Sequence, residues 1–139
     1  MRNFILAGHG LISSGLLSSI TLIIGKPNNL YTIDAYNEPD FDLQTTFDTL
    51  YNQLSGEIIV ITDIKGGSVN NFFLHNLSKY NYTVIHTMSL PLMISLLNYD
   101  PIVENTEQLL HQVFHEMHML DNPRFVSKQL TNTIEDDDF

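Results

Sequence analysis

The 139-residue sequence contains no cysteine. That absence excludes a disulfide framework, a thiolate zinc site and a thiol nucleophile, and it suits a reducing compartment. Basic residues are scarce: 6 Lys and Arg stand against 16 Asp and Glu, a formal net charge of −10. A chain this acidic lacks the basic face that nucleic-acid phosphates or anionic lipid require. Part of the excess sits in Glu135-Asp136-Asp137-Asp138, which reads as a solvated end. Long apolar runs are missing as well. None approaches the roughly 18 residues of a membrane span. Met1-Arg2-Asn3 leads straight into a short apolar run without the pattern of a signal peptide. These absences, with a length that suits one core, predict a single cytoplasmic domain.

What is present is an alternation of short apolar runs and helical patterns. Asn3 to Gly8 reads as a buried strand. Leu11 to Ile24 places Leu16, Leu17, Ile20, Ile23 and Ile24 at helical spacing, and Gly25 with Pro27 stops it. Leu30 to Ala35 reads as a second strand. Asp42 is placed to cap a helix carrying Leu43, Phe47, Leu50 and Leu54, which Gly56 ends. Glu57 to Thr62, "EIIVIT", is β-branched and short, a third strand. Ser68 is a candidate N-cap for a helix bearing Val69, Phe72, Phe73, Leu77 and Tyr80. Tyr82 to Met88 reads as a fourth strand, with Pro91 in the first turn of a helix through Asn98. Asn105 is placed to cap a helix with Leu109, Leu110, Val113, Phe114 and Met117. Beyond Asn122-Pro123, Arg124 to Leu130 reads as a last edge strand, an arm or a frayed end.

Strands alternating with helices predict an α/β fold, an open doubly wound, mainly parallel sheet with helices on both faces. The expected strand order is 2-1-3-4, with residues 1–122 as the working domain and 123–139 as an arm or extra edge strand with an acidic tail. In such sheets ligands gather at the carboxyl ends of the strands, where the strand order reverses. His9 follows strand 1 and Asp63 follows strand 3, so the two are expected to meet at that point.

The chemistry of the pair is specific. Gly8-His9-Gly10 presents an imidazole on a tight turn that another molecule can approach closely. A carboxylate accepting the Nδ1–H of a histidine fixes its tautomer and leaves Nε2 as a nucleophilic lone pair. Asp63-Ile64-Lys65-Gly66-Gly67-Ser68 adds glycine amides, a hydroxyl and a helix start, all suited to an anion, with Lys65 at the rim. The spacing matches neither a P-loop nor the dinucleotide fingerprint. Together these features predict transient phosphorylation of His9, with the phosphoryl group arriving on another protein. No metal and no cofactor are expected beyond the phosphohistidine itself. Leu11 and Ile12 beside His9 are candidates for a docking patch, or for packing at the helix start.

"ILAGHGLISSGLL", "VITDIKGGSVNN" and "SLPLMISLL" resemble, in that order, the motifs of the enzyme IIA (EIIA) component of the mannose-family phosphoenolpyruvate-dependent sugar phosphotransferase system. The resemblance covers about residues 1 to 120. It implies that His9 is the phosphorylated residue and Asp63 its partner. It also implies that Gly66, Gly67 and Ser68 bind the phosphoryl group. The donor it implies is the phosphocarrier HPr and the acceptor a IIB component, which serves the membrane-bound IIC and IID components in sugar uptake. A cytoplasmic homodimer is implied too. Lys65 departs from the family pattern, where many members carry an aromatic residue. Related readings are the EIIA-like domain of dihydroxyacetone phosphotransfer and a regulatory EIIA-like protein without a carrier role. A histidine phosphatase is disfavoured because Gly8, not Arg, precedes His9. His111, His115 and His118 form one stripe of the last helix, read as surface residues beside the core rather than as a metal site. His75 is expected at the surface and His86 as a structural histidine within strand 4.

Overall fold

The computed structural model describes residues 1–117 and 125–127. Its elements in chain order are β1 (Arg2–His9), α1 (Ile12–Ile24), β2 (Leu30–Ala35), α2 (Leu43–Gln53), β3 (Glu57–Thr62), α3 (Ser68–His75), β4 (Thr83–Ile85), α4 (Leu90–Tyr99), α5 (Thr106–Glu116) and β5 (Phe125–Ser127). The sheet runs β2-β1-β3-β4-β5. Its first four strands are parallel, and β5 joins β4 antiparallel at the edge. This is the open α/β sheet expected, in the expected order. The boundary placed after residue 122, His118 and the acidic run 135–138 lie outside the described residues.

Side chains alternate along the strands, and the two sheet faces fill separate cores. Phe4, Leu6, Ile59, Ile61 and Ile85 pack under Ile20 of α1, Leu92, Met93 and Leu96 of α4, and Leu109, Leu110 and Val113 of α5. Ile5, Ala7, Ile33, Ile58, Val60 and Val84 pack under Leu43 and Phe47 of α2 and Val69 and Phe73 of α3. Phe47 centres the second core, with Phe73, Tyr80 and Tyr82 around it edge to face. Burying one such ring contributes about 1.5–3 kcal/mol. β1 and β3, covered on both faces in this way, read as continuous apolar runs, whereas the edge strand β2 carries Thr32 and Asp34 and is only partly buried.

Several boundaries differ from the sequence reading, each for a local reason. Gly67, not Ser68, is the N-cap of α3, and Ser68 is its first helical residue. α3 also stops at His75. Asn76 turns its side-chain amide back onto the Phe72 carbonyl at 2.7 Å, while Leu77 and Tyr80 still pack on the core from the following turn. β4 covers only Thr83–Ile85, because Thr87 is left-handed, with φ of +66°, and breaks the extended run. His86 therefore lies just past β4 rather than within it. It is buried, and its Nδ1 is 2.6 Å from Thr87 Oγ1. α2 ends at Gln53 with Leu54 as its C-cap, ahead of Gly56. The caps at Asp42 and Asn105 accept first-turn amides as their sequence positions predict, and Ser89, which the sequence reading did not single out, caps α4 in the same way.

A feature the sequence reading missed locks the amino-terminal edge of the sheet. Arg2, only 6% exposed at the start of β1, donates to Asp100 Oδ1 (2.6 Å), to the carbonyls of Asp100, Val103 and Glu104, and to Thr106 Oγ1. One guanidinium thus ties β1 to the loop between α4 and α5.

Candidate functional site

The register of β1 on β3 pairs Ala7 with Thr62, so the next residues, Gly8 and Asp63, emerge side by side. A Cβ on Gly8 would lie 3.2 Å from Asp63 Cβ and 2.5 Å from Ile12 Cγ2. Glycine is what lets the carboxylate come in behind His9. There, one oxygen of Asp63, Oδ2, accepts both the His9 backbone N–H at 2.9 Å and, at 2.7 Å, the ring Nδ1 of the same residue. The other oxygen accepts the Ile64 N–H at 2.9 Å. Burial pushes the Asp63 carboxyl upward, but the bonds from His9 and Ile64 outweigh it and hold the group below the ordinary carboxylate range. Asp63 is thus an anion with both oxygens occupied, two of its three bonds going to one residue.

The far side of the ring faces α3. His9 Nε2 is 3.2 Å from Ser68 Oγ, at the helix N-terminus. The hydroxyl is turned to the imidazole instead of capping its own helix. The glycine amides expected to face an anion are engaged internally: Gly67 N–H donates to the Ile64 carbonyl at 3.2 Å, and Gly66 N–H to Asn70 Oδ1 at 3.4 Å. The N–H groups of Ser68, Val69 and Asn70 precede the first intrahelical bond, from Asn71 N–H to the Gly67 carbonyl. Gly67 serves differently, through its lack of a side chain. A Cβ there would meet Ile64 Cγ2 at 2.8 Å and lie 3.7 Å from His9 Cε1, so the loop rests directly against the imidazole.

Two residues that sequence reasoning overlooked hold this loop. Asn70 is buried, and it donates to Thr62 Oγ1 at 2.8 Å while accepting from Gly66. Thr62 in turn donates to the Ile85 carbonyl at 3.3 Å. The loop between β3 and α3 is therefore stitched to the ends of β3 and β4. A third overlooked residue is Tyr36, whose ring centroid lies 5.4 Å from that of His9. Its signal in the sequence is its place, the first residue past β2 at the edge where His9 also emerges.

The site is open. The His9 side chain is 45% exposed, and Leu11 (60%), Ile12 and Ile64 (59%) expose apolar surface around it. Lys65 is exposed on the same loop, and its charge, added to burial, pushes the His86 imidazole below its ordinary range. His75 is exposed at the end of α3. In α5, His111 Nε2 is 3.7 Å from Glu107 Oε1. Among the described residues no group of three or more His, Cys, Asp or Glu is arranged to hold a metal ion. No helix among them is long and apolar enough to cross a membrane.

Comparison with known proteins gives a consistent result. Residues 3–114 match the EIIA-man family model, described as the PTS system fructose IIA component. No curated protein matches. A solved structure from Klebsiella pneumoniae, described as a phosphoenolpyruvate-dependent sugar phosphotransferase system permease, is 38% identical. It covers 85% of this chain and 87% of its own, with a TM-score of 0.77. Component EIIA from Streptococcus agalactiae is 22% identical over 86% of this chain and 94% of its own, with a TM-score of 0.73. The mannose/sorbose specific IIA subunit from Enterococcus faecalis is 23% identical over 82% and 87%, with a TM-score of 0.62. The last two show a shared fold.

Proposed function

The chain belongs to the EIIA-man family of phosphotransferase-system IIA components, and from that premise we propose that His9 is a phosphoryl carrier, charged by phospho-HPr and discharged to a IIB component. The observation that supports this most is the double use of the His9 ring, with Nδ1 held by Asp63 at 2.7 Å and Nε2 turned toward Ser68 at the α3 N-terminus. With its proton on Nδ1, donated to Asp63, the imidazole offers the Nε2 lone pair to phosphorus.

In the transfer, the bond from phosphorus to the donor's ring nitrogen breaks as the bond to His9 Nε2 forms. The donor nitrogen leaves with the electron pair, and the His9 proton stays on Nδ1. The product ring is cationic, and the Asp63 carboxylate lies against that charge. The phosphoryl oxygens are served by the Ser68 hydroxyl and by first-turn amides of α3, where the helix field favours negative charge. Such a transfer needs alignment and charge stabilisation rather than covalent help. An open site suits it, since two proteins must bring their histidines together. The exposed apolar side chains of Leu11, Ile12 and Ile64 are the docking surface in this reading, with Lys65 at its rim.

The same reading makes the protein a cytoplasmic subunit of a mannose-, fructose- or sorbose-type uptake system, working as a homodimer and supplying membrane-bound IIC and IID components through IIB. The test is direct. Incubation with phosphoenolpyruvate, enzyme I and HPr should add one acid-labile phosphoryl group, and addition of the IIB partner should remove it. Absence of labelling, or labelling that survives His9→Ala, overturns the proposal.

A further inference from the structure

Tyr36 has a left-handed backbone, with φ of +62°. Bulky residues rarely adopt that conformation, and it persists only where the surroundings over-determine it. Tyr36 gains little burial in exchange, since it is 50% exposed. What the turn brings about is a ring contact. The His9 and Tyr36 rings lie 5.4 Å apart and tilted by 39°, and Phe41 braces Tyr36 edge-on from 5.4 Å. The backbone beneath is pinned. His9 pairs with Ala35 in the β1–β2 register, and Gly10 N–H donates to the Ala35 carbonyl at 2.8 Å. Both rings therefore stand at the ends of adjacent strands whose relative position is set.

During transfer the imidazole loses one of its polar contacts. Ser68 Oγ sits 3.2 Å from Nε2, the atom that must bond phosphorus. The hydroxyl cannot hold Nε2 and leave it free to attack. Asp63 remains on Nδ1, but a single hydrogen bond leaves the ring free to tilt about the bond's own direction. A second aromatic ring against the imidazole removes that freedom, and a tyrosine also attracts a neighbouring cationic ring.

We propose that Tyr36 is a positioning residue for His9, its ring a wall, braced by Phe41, that sets the plane of the imidazole when Nε2 leaves Ser68 for phosphorus. This inference rests on the phosphoryl-carrier reading of His9, and its test separates the two.

Tyr36→Phe, Tyr36→Ala and Tyr36→Gly are compared in the full chain by three measurements. These are single-turnover phosphorylation by phospho-HPr over a range of donor concentrations, NMR relaxation of the unphosphorylated His9 ring in a Ser68→Ala background, where Nε2 has lost the hydroxyl, and thermal midpoints. Tyr36→Phe should match the wild type in all three. Tyr36→Ala and Tyr36→Gly should lower the maximal rate by about fivefold or more, a loss of alignment, with the half-saturating donor concentration unchanged. In the Ser68→Ala background their His9 ring should move with larger amplitude than when Tyr36 is present, while the Nδ1–H tautomer held by Asp63 is kept. Tyr36→Gly, which accommodates the positive φ, should melt no lower than wild type, separating positioning from folding. An unchanged maximal rate with a raised half-saturating concentration would make Tyr36 a docking residue and overturn the proposal. So would a Tyr36→Phe protein as slow as Tyr36→Ala. If the wild type accepts no phosphoryl group, the carrier reading falls. The NMR measurement still decides on Tyr36, because unaltered His9 ring motion when Tyr36→Ala is added to Ser68→Ala overturns its positioning role.

Discussion

Replacing Asp63 by asparagine is the sharpest probe of the site, because it keeps the shape and removes one acceptor together with the charge. In the wild type, three donors converge on the carboxylate: His9 N–H and Nδ1 on one oxygen, Ile64 N–H on the other. An amide cannot accept all three. With its oxygen toward His9, the NH2 group confronts the Ile64 N–H; flipped, it confronts both His9 donors. One arrangement sacrifices one bond and the other sacrifices two, so the variant should keep its oxygen on His9 and lose the Ile64 contact. Folding then loses about 0.5–1.5 kcal/mol, the net worth of one hydrogen bond. The transfer step loses more, since the cationic product ring no longer faces an anion. A charge-assisted hydrogen bond contributes about 1.5–3 kcal/mol. If that difference is realised in the transition state, the rate falls by about 10- to 100-fold. Single-turnover transfer from phospho-HPr measures the rate, and urea denaturation measures the stability. A rate within twofold of wild type would refute the orienting role of Asp63. A stability loss larger than the loss in transition-state free energy would make Asp63 a structural residue first.

Four other outcomes follow from the same contacts. Gly8→Ala places a methyl 2.5 Å from Ile12 Cγ2 and 3.2 Å from Asp63 Cβ; displacing the carboxylate should slow transfer by on the order of tenfold while the fold survives, read by pairing rates with melting curves. Arg2→Met leaves Asp100 and several loop carbonyls without their donor. It should cost about 3–5 kcal/mol in urea denaturation, with the transfer rate per folded molecule unchanged, since the clamp lies at the sheet edge opposite His9. Two acid windows are expected from pKa values depressed in the folded state. His86 stabilises the fold above its unfolded value of about 6.5, and Asp63 above about 3.9. Each contribution fades as pH falls below those values toward the lower folded ones, so His86→Gln should flatten the stability profile in the upper window and Asp63→Asn in the lower. Asn70→Ala, which unpins the Gly66 loop from Thr62, should slow transfer as well as lower the thermal midpoint.

Much of the architecture was legible because it is locally encoded. β2 and β3 were readable to the residue, since each is a short run bounded by turn residues on both sides. Asp42 and Asn105 announced their helices, because a cap needs only its own side chain and an amide three residues on. The misread ends are those where a distant partner intervened. Ser68 looks like a cap by sequence, yet its hydroxyl goes to His9. β4 looks longer than it is, because nothing local announces that Thr87 will take a left-handed turn.

The sequence by itself determined the order of strands and helices, the two-faced burial of the sheet, and the placing of His9 and Asp63 at the carboxyl ends of β1 and β3. These follow from side-chain periodicity and turn chemistry, which act over a few residues. Only the tertiary structure decided which oxygen meets which nitrogen. It set the register that lays Gly8 against Asp63, turned Ser68 away from its own helix, and brought Tyr36 onto the imidazole. It also drew the Arg2 side chain into a loop some hundred positions away. Contacts of that kind depend on how strands slide against one another and how loops close, and those are settled by burying both faces of the sheet at once.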